Sequence, residues 1–205
     1  MSEASKNPPS TATKSAVVYS FALIMPKPLT ERNAHNQLYD MLKPLDSDWY
    51  QAKDDENRRI LFVQHSNALL CRSTNRPQGV AFKKEVKEVA TGDRIKISVR
   101  LPAMRRFRQK GVTKLIPIEF EDRDDYYSGI LSRNGIEVDS IEWLPNPDST
   151  IFFKSGKTMV TVPVDDVSAW ISVKDAEMFV EAILRGVGRY KTYGCGMISI
   201  IKKKA

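Results

Sequence analysis

The chain has 205 residues and a formal net charge of +7, with a pI near 9.4. Its 41% hydrophobic content is enough to build a core in one large or two small domains, and the charge excess points to an anionic partner, most often nucleic acid. Two cysteines and two histidines exclude a disulfide framework and a structural zinc site, and the apolar run 16–25 is about half of what a bilayer demands. With no basic region leading into an apolar stretch at the N-terminus, the expectation is a reduced, cytoplasmic protein with no membrane partner, no metal and no cofactor.

Residues 1–15, "MSEASKNPPSTATKS", are small, polar and proline-bearing and read as a disordered leader. "AVVYSFALIMP" (16–26) is an apolar strand. "LTERNAHNQLYDMLKPL" (29–45) is a helix that Thr30 caps and Pro44 stops, with Ala34, Leu38, Met41 and Leu42 on its apolar face. "RRILFVQHS" (58–66), "ALLCRSTN" (68–75) and "DRIKISVRL" (93–101) read as strands, while "AFKKEVKEVA" (81–90) leaves helix and strand open. That order is half of a ferredoxin-like βαββαβ unit, with no second helix in evidence.

"PAMRRFRQKGVTK" (102–114) interrupts the pattern with Arg105, Arg106, Arg108, Lys110 and Lys114 and no acid, and it reads as a basic loop at a domain boundary. "DRDDYYSGILSRNG" (122–135) is a helix with acids in its first turn and Gly135 past its end. "IEVDSIEWL", "TIFFKS" and "TMVTVPVDDVSAWISV" are strands, "KDAEMFVEAILRG" (174–186) is an amphipathic helix, and "MISII" (197–201) is a last strand before a flexible "KKK" tail. The whole is an α+β chain of two tandem ferredoxin-like (RRM-like) domains, 16–103 and 104–205, behind the leader 1–15.

Between the last helix and strand stands "GVGRYKTYGCG" (186–196), which holds four of the chain's 10 glycines. Its spacing matches neither a Walker loop nor a dinucleotide fingerprint, and its element order is the reverse of both. Gly186 alone would suffice as a helix C-cap. Adding Gly188, Gly194 and Gly196 points to close approach of the backbone to another loop or to RNA, with Arg189 and Lys191 in reach of phosphate. On a helical wheel of about 100° per residue, His35 falls at the rim of the first helix's apolar face, beside Tyr39 and Arg32. Composition alone leaves a packing histidine and an acid–base group both open. His65 ends a strand without a motif and reads as structural or exposed.

Three stretches carry a family resemblance: "VSAWISVKDAEMFVEAILRGVGRYKTYGCGMISI", "ISVRLPAMRRFRQKGVTKLIPI" with the following "DDYYSGILSRNG" helix, and "AHNQLYDML". In them the chain resembles the CRISPR repeat-processing endoribonucleases of the RAMP superfamily, especially the type I-E (Cascade) branch, over most of 16–201. The resemblance implies paired ferredoxin-like domains that bind a CRISPR repeat RNA hairpin and cut at its base without metal. The 2′-hydroxyl attacks the adjacent phosphate and leaves a 2′,3′-cyclic phosphate. The mature guide RNA then stays bound, alongside other subunits of a CRISPR effector complex. It also implies His35 as the acid–base group, with Tyr39 and Arg32 beside it. RNA contact falls to Arg105, Arg106, Arg108, Lys110, Arg189, Lys191 and the backbone of Gly186, Gly188, Gly194 and Gly196. A non-catalytic RNA-binding subunit of the same superfamily is the alternative, separated by the role of His35.

Overall fold

The computed structural model describes residues 13–25, 34–43, 60–65, 68–109, 111–147, 150–155 and 158–204. The first unit runs β1 (Thr13–Ile24), α1 (Ala34–Leu42), β2 (Leu61–His65), β3 (Ala68–Ser73) and β4 (Lys83–Ala90), with its four antiparallel strands ordered β2-β3-β1-β4. The second runs β5 (Arg94–Pro102), β6 (Met104–Gln109), β7 (Val112–Pro117), α2 (Arg123–Ser132), β8 (Ile136–Pro145), β9 (Ile151–Ser155), β10 (Thr158–Val162), β11 (Val164–Val173), α3 (Ala176–Arg185) and β12 (Ser199–Lys204). Its main sheet has the order β12-β5-β11-β8, a complete βαββαβ unit, while β6–β7 and β9–β10 are two separate hairpins inserted into it. The expected pair of ferredoxin-like units is present, and among the described residues the first has no helix between β3 and β4.

Three sequence readings are corrected. The strand near 93–101 does not close the first unit: β5 is central in the second sheet, paired to β11 and β12, so the sheets divide at 91–93 rather than at 103. The basic stretch reads as a boundary in sequence because charge interrupts the periodicity there. It is no loop but the β6–β7 hairpin, whose alternation is hidden because β6 is exposed on both faces beyond Met104. The lysine tail is strand β12, in which Lys203 meets Asp93 at 2.6 Å. The open segment 81–90 resolves as β4. The leader's first 12 residues lie outside the described set.

Burial follows the alternation. Phe21 and Leu23 of β1 pack with Leu38, Tyr39 and Leu42 of α1 and with Phe62, Leu69 and Cys71. Ala16, on the opposite face nearer the start of β1, joins the second unit's core with Val89, Phe179, Val180 and Ile183. β1 therefore gives one face to each unit, and α3 packs directly on β1 and β4, with Lys14 paired to Glu177 at 3.0 Å. The Asp175 side chain caps α3 by accepting the N–H groups of Glu177 and Met178 at 2.9 and 3.0 Å. Such a cap contributes about 1 kcal/mol. None of the described helices is long and apolar enough to cross a membrane.

Candidate nucleic-acid interface

The glycine loop is an internal joint. Gly186, Gly188, Gly194 and Gly196 all have left-handed φ, from 69° to 90°. A side chain at Gly196 would stand 2.1 Å from the Val187 carbonyl oxygen, and one at Gly186 2.9 Å from both the Gly196 carbonyl and a Leu61 methyl. At Gly194 it would meet the Phe62 ring at 3.1 Å. The Gly196 N–H donates to the Arg100 carbonyl at 2.8 Å, and the Val187 N–H donates to the Gly196 carbonyl at 2.9 Å. The loop thus closes on itself between the first sheet's β2 and the second sheet's β5. Gly186, Gly194 and Gly196 are buried there, and only Gly188 of the four is exposed. Lys191 lies half-buried across Gly186 and Gly196 and donates to the Gly186 carbonyl at 3.4 Å.

Two arginines rivet the joint. The Arg72 guanidinium on β3 donates to the Ile198 carbonyl at 2.6 Å. Burial disfavours the charge of Arg72 and the Glu85 carboxylate supports it. Arg100 on β5 donates to the Gln64 carbonyl of β2 and pairs with Asp166 at 2.7 Å, while Asn146 holds the other Asp166 oxygen at 2.6 Å. Asp165, the residue before it, is buried. It accepts from Arg123 at 2.7 Å and from the Tyr127 hydroxyl at 2.6 Å. Both carboxylates are structural. Among the described residues no three His, Cys, Asp or Glu side chains assemble as metal ligands do.

The exposed face of the joint is basic. Arg105 and Arg106 of β6, Arg133 after α2, and Gly188 and Arg189 of the glycine loop surround a cleft of about 400 Å³ with Tyr126 in its wall. The Tyr126 hydroxyl donates to the Met104 carbonyl at 2.9 Å and so ties α2 to the root of the hairpin. Burial pushes that phenol up, while the cations Arg189, Arg133 and Arg105 pull against the shift. Arg108 is exposed farther along β6. Arg133 carries no signal in the sequence because it sits singly at the helix C-cap, where a cation is ordinary.

The remaining candidates divide. His35 lies in the first turn of α1, one turn ahead of Leu38 and Tyr39, and α1 contacts the turn Lys191–Tyr193 of the glycine loop. Tyr39 is 8% exposed and belongs to the first unit's core, so its ring anchors the helix. Arg32 and Lys110 lie outside the described residues. His65 is exposed at the end of β2.

A family model described as "CRISPR associated protein" matches residues 22–202. No curated protein sequence matches the chain. Among solved structures it is similar to Thermus thermophilus Cse3 bound to an RNA representing a pre-cleavage complex, at 16% identity and TM-score 0.64, over 91% of this chain and 100% of that one. It is likewise similar to the CRISPR-associated protein Cas6e from Escherichia coli K-12, at 16% identity and TM-score 0.64, over 89% and 98%. A chain of a CRISPR RNA-guided surveillance complex matches at 16% identity and TM-score 0.58, over 89% and 98%.

Proposed function

The chain belongs to the CRISPR-associated protein family, and from that premise we propose that it is a metal-independent endoribonuclease that matures CRISPR transcripts. The observation that carries the reading is the four-arginine cleft where hairpin β6–β7, α2 and the glycine loop meet. An RNA hairpin offers phosphates on both strands of its stem, and a concave surface with cations on several walls engages them without reading bases. The fold it shares with RNA-bound Cse3 supports the same partner.

In this reading α1 brings His35 to the scissile phosphate. Imidazole takes the proton of the attacking 2′-hydroxyl or returns one to the leaving 5′-oxygen. Arg32 steadies the negative charge that gathers on the phosphorane oxygens. Tyr39 holds the helix in place from the core. The contact of α1 with the glycine loop couples the position of His35 to the wall that bears Arg189. Because the cut leaves the hairpin seated on the same cations, product stays bound and the protein remains with the guide RNA among the subunits of an effector complex.

The test is cleavage of a repeat hairpin by His35→Ala. The expected loss is on the order of 10²–10⁴-fold in rate, the usual size of acid–base catalysis, with hairpin affinity unchanged. Products carry a 2′,3′-cyclic phosphate, and chelator leaves the rate intact. Normal cutting by the variant, or strict magnesium dependence with 3′-hydroxyl ends, refutes the mechanism. No cleavage by wild type, with tight binding, leaves the non-catalytic RNA-binding subunit.

A further inference from the structure

A second surface has the opposite chemistry. Phe120 is 60% exposed and its ring lies 5.4 Å from that of Trp143. The Arg123 guanidinium sits 4.1 Å from the first ring and 4.7 Å from the second, but Asp165 binds its charge at 2.7 Å. Around these rings Glu119, Glu121, Asp122, Asp124 and Asp125 are all exposed. Five carboxylates within seven residues, in a chain of net charge +7, make a face that repels phosphate. RNA does not explain it, nor does it explain why an aromatic ring stands in its centre.

The complement of this patch is on the same molecule. Phe107, near the tip of the β6–β7 hairpin, is 46% exposed. Arg105 shares its face of β6, and Lys114 stands directly across from it in register. One surface is thus a ring among cations and the other a ring among carboxylates. Phe107 and Phe120 are both open to solvent, so the hairpin does not reach its own patch.

We infer that, without RNA, copies of this chain associate head to tail, the Phe107 face of one hairpin seated on the Phe120–Trp143 patch of the next. The contact joins two different patches, so each copy keeps one patch free for a further copy unless the chain closes into a ring. Its ion pairs lie at a solvated rim and are screened, so it is weak and dissolves with salt. The aromatic pair supplies the anchor. A bound RNA hairpin engages the same arginines and competes, a step that rests on the function proposed above; the self-contact does not.

Sedimentation of the RNA-free protein over a range of micromolar concentrations tests this. At low salt the average mass rises with concentration, and at high salt it returns to that of one chain. Phe107→Ala and Phe120→Ala each stay monomeric under both conditions, with unchanged melting temperature and unchanged hairpin affinity. Glu121→Lys, which keeps every ring, also weakens association. A wild type that is monomeric throughout, or association untouched by both phenylalanine variants, overturns the inference. Repeat-hairpin RNA is then added in equal amount, and the expected result is monomeric complex. Assemblies that persist with RNA bound overturn the competition. Failure of RNA to bind at all sinks the function proposed above and leaves the self-contact standing.

Discussion

The glycine loop and the arginine hairpin looked alike in sequence, each a short dense stretch with a claim on RNA. In the fold they are opposites. The loop is a buried joint in which three of four glycines sit where a side chain would strike the backbone or core of a neighbour. The hairpin's β6 strand is exposed from Arg105 to Gln109. Glycine density reports where backbone must pass close to backbone; arginine density without acids reports where the surface waits for an anion. The two meet beneath the surface, where Met104 and Leu115 pack with Tyr190, Tyr193 and Cys195, and at the surface in Gly188 and Arg189, which belong to the loop by chain and to the cleft by position.

That contrast predicts which changes unfold the protein and which only loosen RNA. The largest effect is Gly196→Ala. With φ at 79° and a carbonyl oxygen 2.1 Å from the new Cβ, the expected cost is on the order of 3–5 kcal/mol. For a chain of this size the melting temperature falls by roughly 10 °C or more. Cys195 reports the same event. Its thiol is fully buried and pushed up to about 12, so it stays protonated and unlabelled by iodoacetamide at pH 8 in the wild type. In Gly196→Ala it reacts. A stable variant with Cys195 still protected means the loop is not a joint.

Arg106→Ala gives the opposite pattern. Stability changes by less than about 0.5 kcal/mol, as for an exposed residue. Hairpin affinity falls for every sequence, and the salt dependence of binding drops by about 1 in slope. A titration at several salt concentrations that gives the wild-type slope removes Arg106 from the RNA path. The cleft adds a refinement: Arg105 lines it with Arg106 while Arg108 lies farther along β6, so Arg105→Ala should follow Arg106→Ala more closely than Arg108→Ala does.

The smallest effect is Lys203→Ala. Its partner Asp93 is half-buried and keeps the Ala90 N–H at 2.7 Å, while Lys203 itself is exposed, so the lost pair should cost about 0–1 kcal/mol in denaturant unfolding while RNA binding stays put. A loss of affinity like that of Arg106 would place the last strand on the RNA path.

Much of the fold was legible. α1, α2 and α3 have caps, stops or apolar faces that specify them, and the strands of the two main sheets alternate. The misreading of β5 has a physical reason. Its burial pattern is that of any half-covered strand, and nothing local tells a strand which sheet it will join; its partners β11 and β12 lie far downstream. The hairpin is hidden because β6 is exposed on both faces beyond Met104, which erases the period of two. Of the candidate site, Arg105 and Arg106 stand out by charge and Arg189 by its place in the glycine loop and the family resemblance, and the cleft brings the three together. The rivets Arg72 and Arg100 were passed over, since a lone arginine in a strand gives no sign that it will be buried.

The place of β5 also has consequences in time. Ser98 pairs with Ser199 about a hundred residues later, so one of the first strands of the second sheet to be made waits for one of the last. During synthesis β5 emerges with no neighbour on either side, an apolar strand with open edges. Ile95, Ile97, Val99 and Leu101, all buried at the end, are exposed in that interval. The first unit can form its own sheet meanwhile, but Ala16 and Val89 have no core to join until α3 arrives. The second sheet is therefore complete only once β12, the last element of the chain, has been made.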